Sequence, residues 1–88
     1  MIKLWFDEAW DDYLAWQAQD KKTLKRINQL IQSIERNGYR CIGKPEPLAH
    51  QYAGWWSERI GQQNQIIFRI EGKQLYIASC RGHYNEEA

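Results

Sequence analysis

Two short segments of the sequence carry side chains suited to acid–base chemistry. Residues 43–48 read GKPEPL and hold Glu46 between two prolines, while residues 81–84 read RGHY and place His83 and Tyr84 after a strand-like run. Proline fixes its own φ and favours extended backbone in the residue before it, so the backbone of Glu46 is constrained from both sides. A carboxylate and an imidazole brought together by folding form a general base and a general acid. The pair makes this chain a candidate enzyme.

Each of these residues also has an ordinary interpretation. Glu46 is then an exposed loop carboxylate between turn prolines, and His83 a solvated histidine, because such side chains are mostly exposed. His83 keeps its interest because an imidazole titrates near physiological pH. His50 is interpreted as solvated or structural.

Three arginines, Arg59, Arg69 and Arg81, lie on successive strand-like segments. A guanidinium presents paired donors that suit phosphate, so these residues form a cationic patch if the strand register aligns them, and are three solvated side chains if it does not. Trp55 and Trp56 point to opposite faces of a strand. One of them is therefore expected in the core, and the other, like Tyr84, is able to stack on a base or contact a partner.

Motifs for several other chemistries are absent from the sequence, including a P-loop, a dinucleotide-binding glycine fingerprint, His-Glu-x-x-His and Gly-x-Ser-x-Gly. Chemistry that needs only a base, an acid and cations remains. Internal phosphoryl transfer in RNA fits this requirement, since the 2′-OH of the substrate is itself the nucleophile.

The elements that position these residues follow from apolar periodicity and capping residues. We predict a strand, two helices capped by Asp7 and Asp20 with Gly38 ending the second, a loop, and an antiparallel meander with a hairpin turn at 71–73. This order predicts an α+β domain with helices on one face of a twisted antiparallel sheet and the other face open. The predicted strands are residues 1–6, 55–60, 65–70 and 74–80, and the predicted loop is 39–53.

Composition limits the other possibilities. The chain has 88 residues, enough for one domain, which we place at 1–84 with a short acidic tail at 85–88. No apolar run is long enough to span a membrane, and the N-terminus reads as a strand rather than a signal peptide. The net charge is +1, but residues 1–20 carry −4 and residues 21–81 carry +7, which is compatible with a local polyanion site. Cys41 and Cys80 lack metal-ligand spacing and are expected to be free thiols in a reducing cytosol, with a disulfide as the lesser alternative.

Several motifs in the same order resemble those of the YoeB/Txe toxins of the RelE superfamily, which belong to bacterial toxin–antitoxin systems. The resemblance runs from residue 1 to 84. The motifs are Trp10-Asp11-Asp12-Tyr13 with Trp16, Lys44-Pro45-Glu46-Pro47-Leu48, Trp56-Ser57 followed by Arg59-Ile60, and His83-Tyr84.

The resemblance implies a microbial-ribonuclease-like fold and cleavage of mRNA on the ribosome, in the cytoplasm and without metal or cofactor. It implies Glu46 as general base, His83 as general acid, Tyr84 as a residue that shapes the site and Arg59 as a phosphate contact, beside Lys44. As partners it implies a YefM/Axe-like antitoxin, the ribosome with its mRNA, and operator DNA through the antitoxin complex only. It also implies that the toxin can form a homodimer.

Two positions depart from the family pattern. Gln65 stands where the family usually has a catalytic arginine, and Ala49 stands where it usually has a lysine. A neutral amide donates hydrogen bonds but does not neutralise phosphate charge. Loss of one preorganised cation commonly costs on the order of a hundredfold or more in rate. Arg69 or Arg81 is then a candidate replacement for the missing charge.

These departures leave three functions open. The first is a ribosome-dependent mRNA endoribonuclease, with either full or weakened cleavage activity. The second is a catalytically impaired relative that binds the antitoxin and acts as a co-repressor. The third and weakest is a free-standing RNA-binding domain.

Overall fold

A computed structural model describes residues 1–82 of the chain. Its elements follow the predicted order, and each strand of the meander lies within one or two residues of its predicted bounds. The strands are β1 (Ile2–Trp5), β2 (Glu46–Pro47), β3 (Trp56–Arg59), β4 (Gln65–Glu71) and β5 (Gln74–Ser79), and the helices are α1 (Asp7–Gln19) and α2 (Lys21–Asn37), with short 3-10 turns at Gly38–Arg40 and His50–Tyr52.

The five strands form one open sheet in the order β1-β5-β4-β3-β2. The meander β3–β4–β5 is antiparallel, as predicted, and its hairpin turns at Gly72 with a positive φ of 58°. Two features differ from the predicted pattern. β1 adds to β5 in parallel, so the sheet is mixed, and the predicted loop contains β2, paired antiparallel to β3. The parallel pair is possible because the long helical segment joins β1 to the rest of the sheet.

Local sequence explains where the helices begin and end. The Asp20 carboxylate accepts hydrogen bonds from the backbone amides of Lys22 and Thr23, which confirms it as the cap of α2. Gly38 ends α2 with a positive φ of 60°. The prediction for α1 was wrong at its first residue, since Phe6 is the cap and Asp7 already lies in the first turn, where its charge still favours the helix dipole.

Replacing Asp20 by alanine is expected to lower the free energy of unfolding by about 1 kcal/mol, because two amides of the first turn lose their acceptor. Urea denaturation followed by circular dichroism measures the change. Asp11→Ala is the control, since Asp11 is exposed on α1, and it is expected to change stability by no more than about 0.5 kcal/mol. Equal losses in the two variants would contradict the capping role.

Both helices cover one face of the sheet, and the core lies between them. Trp56 faces this core and stacks on Tyr39 with ring centroids 4.3 Å apart, whereas Trp55 contacts Phe6 and Arg69 on the other side. The two tryptophans therefore point to opposite faces, as predicted. The buried apolar side chains of this core are those of Ala9, Trp16, Ile27, Leu30, Ile31, Ile34, Cys41, Ile66, Phe68, Leu75, Ile77 and Cys80.

The sheet face away from the helices is called the open face below. Alternation along the strands assigns to it Phe6 after β1, Tyr76 and Ala78 of β5, Gln65, Ile67 and Arg69 of β4, and Trp55, Ser57 and Arg59 along β3. Cys41 and Cys80 lie on the helix side as free thiols, and burial raises the pKa of each to about 12. In the part of the chain that the structure describes, neither helix combines the length and apolar character needed to cross a membrane.

Candidate active site

Glu46 lies in the two-residue strand β2 at the edge of the sheet. It is directly opposite Ser57 of β3, and its side chain is exposed. Because opposite residues of an antiparallel pair share a face, Glu46 belongs to the open face. The backbone amide of Leu48 donates to the carbonyl of Trp55 at 2.8 Å and closes the pairing. The Pro-Glu-Pro element is thus an ordered edge strand, so the carboxylate is presented from a fixed backbone.

The loop before Glu46 turns sharply. Gly43 and Lys44 both have positive φ, 88° and 51°, and Lys44 is exposed. Glycine adopts such a conformation without strain, whereas lysine does so rarely. Lys44 therefore stands two residues before the candidate base in a backbone geometry set by the loop.

Arg59 and Gln65 lie opposite each other where β3 meets β4. Arg59 is two residues from Ser57 on the same strand and hence on the same face as Glu46. The structure therefore brings together Glu46, Arg59 and Gln65, three of the residues predicted for the site, on the open face. This neighbourhood places a carboxylate, a guanidinium and an amide on the same part of the open face, on the three adjacent strands β2, β3 and β4.

The described chain ends at Gly82, and two hydrogen bonds fix it beside this group. The amide of Gln65 donates to the Gly82 carbonyl at 3.0 Å, and the amide of Gly82 donates to Oδ1 of Asn64 at 2.9 Å. Gly82 immediately precedes His83 in the sequence. His83 and Tyr84, the predicted acid and its neighbour, lie outside the described residues.

The other two predicted phosphate contacts are engaged elsewhere. Arg69 lies on the open face with its guanidinium 4.9 Å from the Trp55 ring and 5.1 Å from the Tyr76 ring, and it pairs with Glu71 at 3.0 Å. Arg81 turns toward α1, where it lies over the Trp16 ring and donates to Gln19 at 2.7 Å. The three arginines of the sequence prediction therefore do not form one patch in this structure.

Glu58 is a buried carboxyl behind the site that sequence reasoning did not single out. It is 1% exposed on the core side of β3, and burial raises its pKa to about 7. The Cys41 thiol donates to its Oε1 at 3.6 Å, while its Oε2 has no partner among the described residues. A Cβ at position 43 would collide with Oε1, so Gly43 is required both for its φ and for space. Glu58 thus packs directly beneath the loop that leads to Glu46.

Among residues 1–82, no group of three His, Cys, Asp or Glu side chains is arranged to hold a metal ion. What the described group offers is a proton acceptor beside a guanidinium and an amide donor. Such an arrangement is able to deprotonate a hydroxyl and to bind the negative charge of an adjacent phosphate.

Known proteins that share this sequence pattern and this fold are toxins of bacterial type II toxin–antitoxin systems. The chain belongs to the YoeB-like toxin family, whose model matches residues 5–84. Toxin YoeB of Escherichia coli K12 is 44% identical over 84 residues, which is 96% of this chain and 100% of that protein.

Solved structures agree with this assignment. A YoeB/ParE toxin from Agrobacterium tumefaciens superimposes with a TM-score of 0.91 at 38% identity, covering 96% of this chain and 100% of the other. A YoeB dimer and a YoeB–YefM complex from Staphylococcus aureus each give a TM-score of 0.88, at 38% and 36% identity, covering 96% of this chain and 98% of theirs.

Proposed function

We propose that this toxin is a ribosome-dependent mRNA endoribonuclease that stops translation. The observation that carries the proposal is the placement of Glu46 on the open face beside Arg59 and Gln65, with the backbone before His83 tied to the same strand end. These are the groups that cleavage by the 2′-OH of RNA requires, and the proposed reaction uses no cofactor.

In the proposed reaction Glu46 removes the proton of the 2′-OH, whose oxygen attacks the adjacent phosphorus. His83 donates a proton to the departing 5′-oxygen, and Tyr84 shapes the site around it. Arg59 binds the phosphate charge as it increases, and Lys44 contributes a second cation from the loop. Gln65 donates a neutral hydrogen bond, while Arg69 and Arg81 act at longer range on the RNA backbone.

We further propose a YefM-type antitoxin as the cognate partner. The Staphylococcus aureus relative is solved in complex with YefM and also as a dimer, and the similarity covers 96% of this chain. Operator DNA is then contacted through the antitoxin complex, and the free toxin is able to form a homodimer.

The test is a translating extract with a reporter mRNA, in which new 5′ ends are mapped by primer extension. Wild-type protein is expected to produce such ends when ribosomes are present and none on naked mRNA. Escherichia coli YoeB run alongside is the positive control. Cleavage by the control but not by this protein would refute the proposal, and equal cleavage of naked RNA would refute the ribosome dependence.

Replacing Gln65 by arginine is expected to raise the cleavage rate at least about tenfold, because a guanidinium opposite Arg59 adds charge where the phosphate is expected to bind. The rate is measured in the same extract. Gln29→Arg adds an equal charge on α2, away from the open face, and is expected to leave the rate unchanged. An unaltered or lower rate in Gln65→Arg would show that the charge is supplied by other residues.

The second candidate function is an antitoxin-binding co-repressor without useful nuclease activity. Gln65 and Ala49 favour it, since each replaces a cation usual in the family. Strong antitoxin binding together with normal growth when the toxin is expressed alone would support this function. Growth arrest that depends on Glu46 would exclude it.

A further inference from the structure

A pocket of about 210 Å³ opens on the open face next to the candidate site. Its lining consists of Phe6, Glu8, Tyr52, Trp55, Ile67 and Ala78. Ile67 is 1% exposed although it lies on the face away from the core, so neighbouring side chains enclose it on that face. The pocket is therefore built by the fold and is distinct from the exposed edge where Glu46 stands.

Aromatic rings form the walls, and their positions are fixed. The rings of Phe6 and Trp55 are 5.5 Å apart and nearly perpendicular, at 84°. The guanidinium of Arg69 lies between Trp55 and Tyr76 and holds both rings in place. Phe6 nevertheless remains 45% exposed, a large share for a phenylalanine that contacts two other aromatic rings. Flat apolar walls with an open side suit a planar ring that stacks on them.

Among residues 1–82, Glu8 is the only charged residue that lines this pocket. Its carboxylate has no hydrogen-bond or ion-pair partner within residues 1–82. A carboxylate is an acceptor only, so a ring that fits here must present donors on its edge. Among the RNA bases, guanine carries an N1–H and an N2 amino group side by side, which match the two carboxylate oxygens. Adenine and cytosine offer a single amino group, and uracil a single N–H.

The strand register places this pocket close to the proposed reaction. Ile67 pairs with Ser57, and Ser57 pairs with Glu46, so the pocket floor is two strand spacings from the candidate base. That separation is about 10 Å between backbones. A base that enters the pocket therefore belongs to a nucleotide at or next to the one that Glu46 deprotonates.

We propose that the pocket lined by Phe6 and Trp55 is a guanine subsite, in which Glu8 reads the base of an mRNA nucleotide flanking the cleaved bond. The inference rests on the proposed nuclease function and adds the sequence preference to it. It makes Glu8 a specificity-determining residue and Phe6 and Trp55 the stacking surface. An antitoxin segment in the same pocket is the competing occupant, and the experiments below separate the two.

The first experiment maps 5′ ends across a pool of mRNAs in the translating extract. Wild-type protein is expected to show guanine enriched about tenfold at one fixed position beside the cut, as expected for hydrogen bonds to a charged acceptor. Glu8→Gln and Phe6→Ala are expected to lose that enrichment while cleavage continues at other sequences. Asp7→Asn is the matched control, because Asp7 lies in the same helical turn but does not line the pocket.

The second experiment does not depend on cleavage. Guanosine 5′-monophosphate and uridine 5′-monophosphate are titrated into the full-length toxin, and tryptophan fluorescence is recorded. Guanosine monophosphate is expected to quench the signal at an at least about fivefold lower concentration than uridine monophosphate, and Glu8→Gln is expected to remove the difference. This binding measurement still tests the guanine subsite if the wild-type protein cleaves no mRNA. Absence of cleavage would contradict only the nuclease proposal.

Two results would overturn the inference. One is a base distribution around the cut that is the same in wild type, Glu8→Gln and Phe6→Ala, together with equal quenching by both nucleotides. The other is that Phe6→Ala weakens binding of the antitoxin while base preference and nucleotide quenching stay unchanged, which would assign the pocket to the antitoxin.

Discussion

On translating ribosomes, the Glu46→Gln variant is expected to cleave mRNA about 10²–10⁴-fold more slowly than wild type, the range typical for loss of a general base. Glutamine keeps the size of the side chain and its place in β2 opposite Ser57 but accepts no proton. Because Glu46 is exposed at the sheet edge, the substitution removes no buried contact. The loss is therefore expected in the rate of the chemical step and not in folding, which circular dichroism and the melting temperature will check.

Glu35→Gln provides the control for this prediction. Glu35 lies on α2, on the helix side of the sheet, where it pairs with Lys3 at 3.1 Å. Such a surface ion pair contributes at most about 1 kcal/mol to stability and takes no part in the proposed reaction. Glu35→Gln is therefore expected to cleave at the wild-type rate. A Glu46→Gln variant that also cleaves within a fewfold of wild type would remove Glu46 from the mechanism.

Replacing Glu58 by glutamine is expected to stabilise the protein above pH 7. It is also expected to remove most of the change in unfolding free energy with pH that wild type shows. Burial raises the pKa of Glu58 from its ordinary value of 4.5 to about 7, while hydrogen bonding from Cys41 and the charge of Arg26 oppose this rise without cancelling it. The carboxyl is therefore neutral in the folded state at acidic pH. Above pH 7 the Glu58 carboxylate must either be charged within the protein interior or move out of the interior.

The sign of the effect follows from proton uptake. Between pH 4.5 and about 7 the folded protein holds a proton on Glu58 that the unfolded chain has released, so stability falls as pH rises through this window. The shift corresponds to ~3 kcal/mol, complete above pH 7. Urea denaturation of wild type and Glu58→Gln between pH 4 and 8 measures the difference. Parallel stability curves for the two proteins would show that Glu58 ionises freely in the fold.

The sequence alone predicted the parts of this fold that depend on local chemistry. The cap at Asp20, the end of α2 at Gly38 and the alternation of Ile66, Phe68 and Ile70 each follow from contacts or conformations within a few residues. The constrained backbone at Glu46 also follows from its neighbours, because a proline stands on each side of it, although the strand β2 at this position was not predicted. These features need no knowledge of which strand lies next to which.

Features that depend on distant pairing were not predicted. The helices determine where the chain returns to the sheet, and hence which strand pairs in parallel with β1. The contact of Arg69 with the Tyr76 ring depends on a register in which these two residues lie opposite each other. The burial of Glu58 was not predicted, because it depends on contacts with Cys41 and Gly43, which are distant in the sequence. The only sequence signal was its parity, since Glu58 alternates with Ser57 and Arg59 and must face the core if Trp56 does.

The pairing of β1 with β5 also determines when the toxin can complete its fold during its own synthesis. Ile2 pairs with Gln74, and α1 is tied to the end of β5 by hydrogen bonds from the Trp16 indole to the Cys80 carbonyl and from the Cys80 amide to Asp12. A nascent chain emerges with β1 first, and β1 has no strand to pair with until β5, which follows the hairpin after β4, has left the exit tunnel. Products truncated before that hairpin lack the strand between β1 and β4, so an interrupted round of translation releases no chain that can assemble the five-stranded sheet.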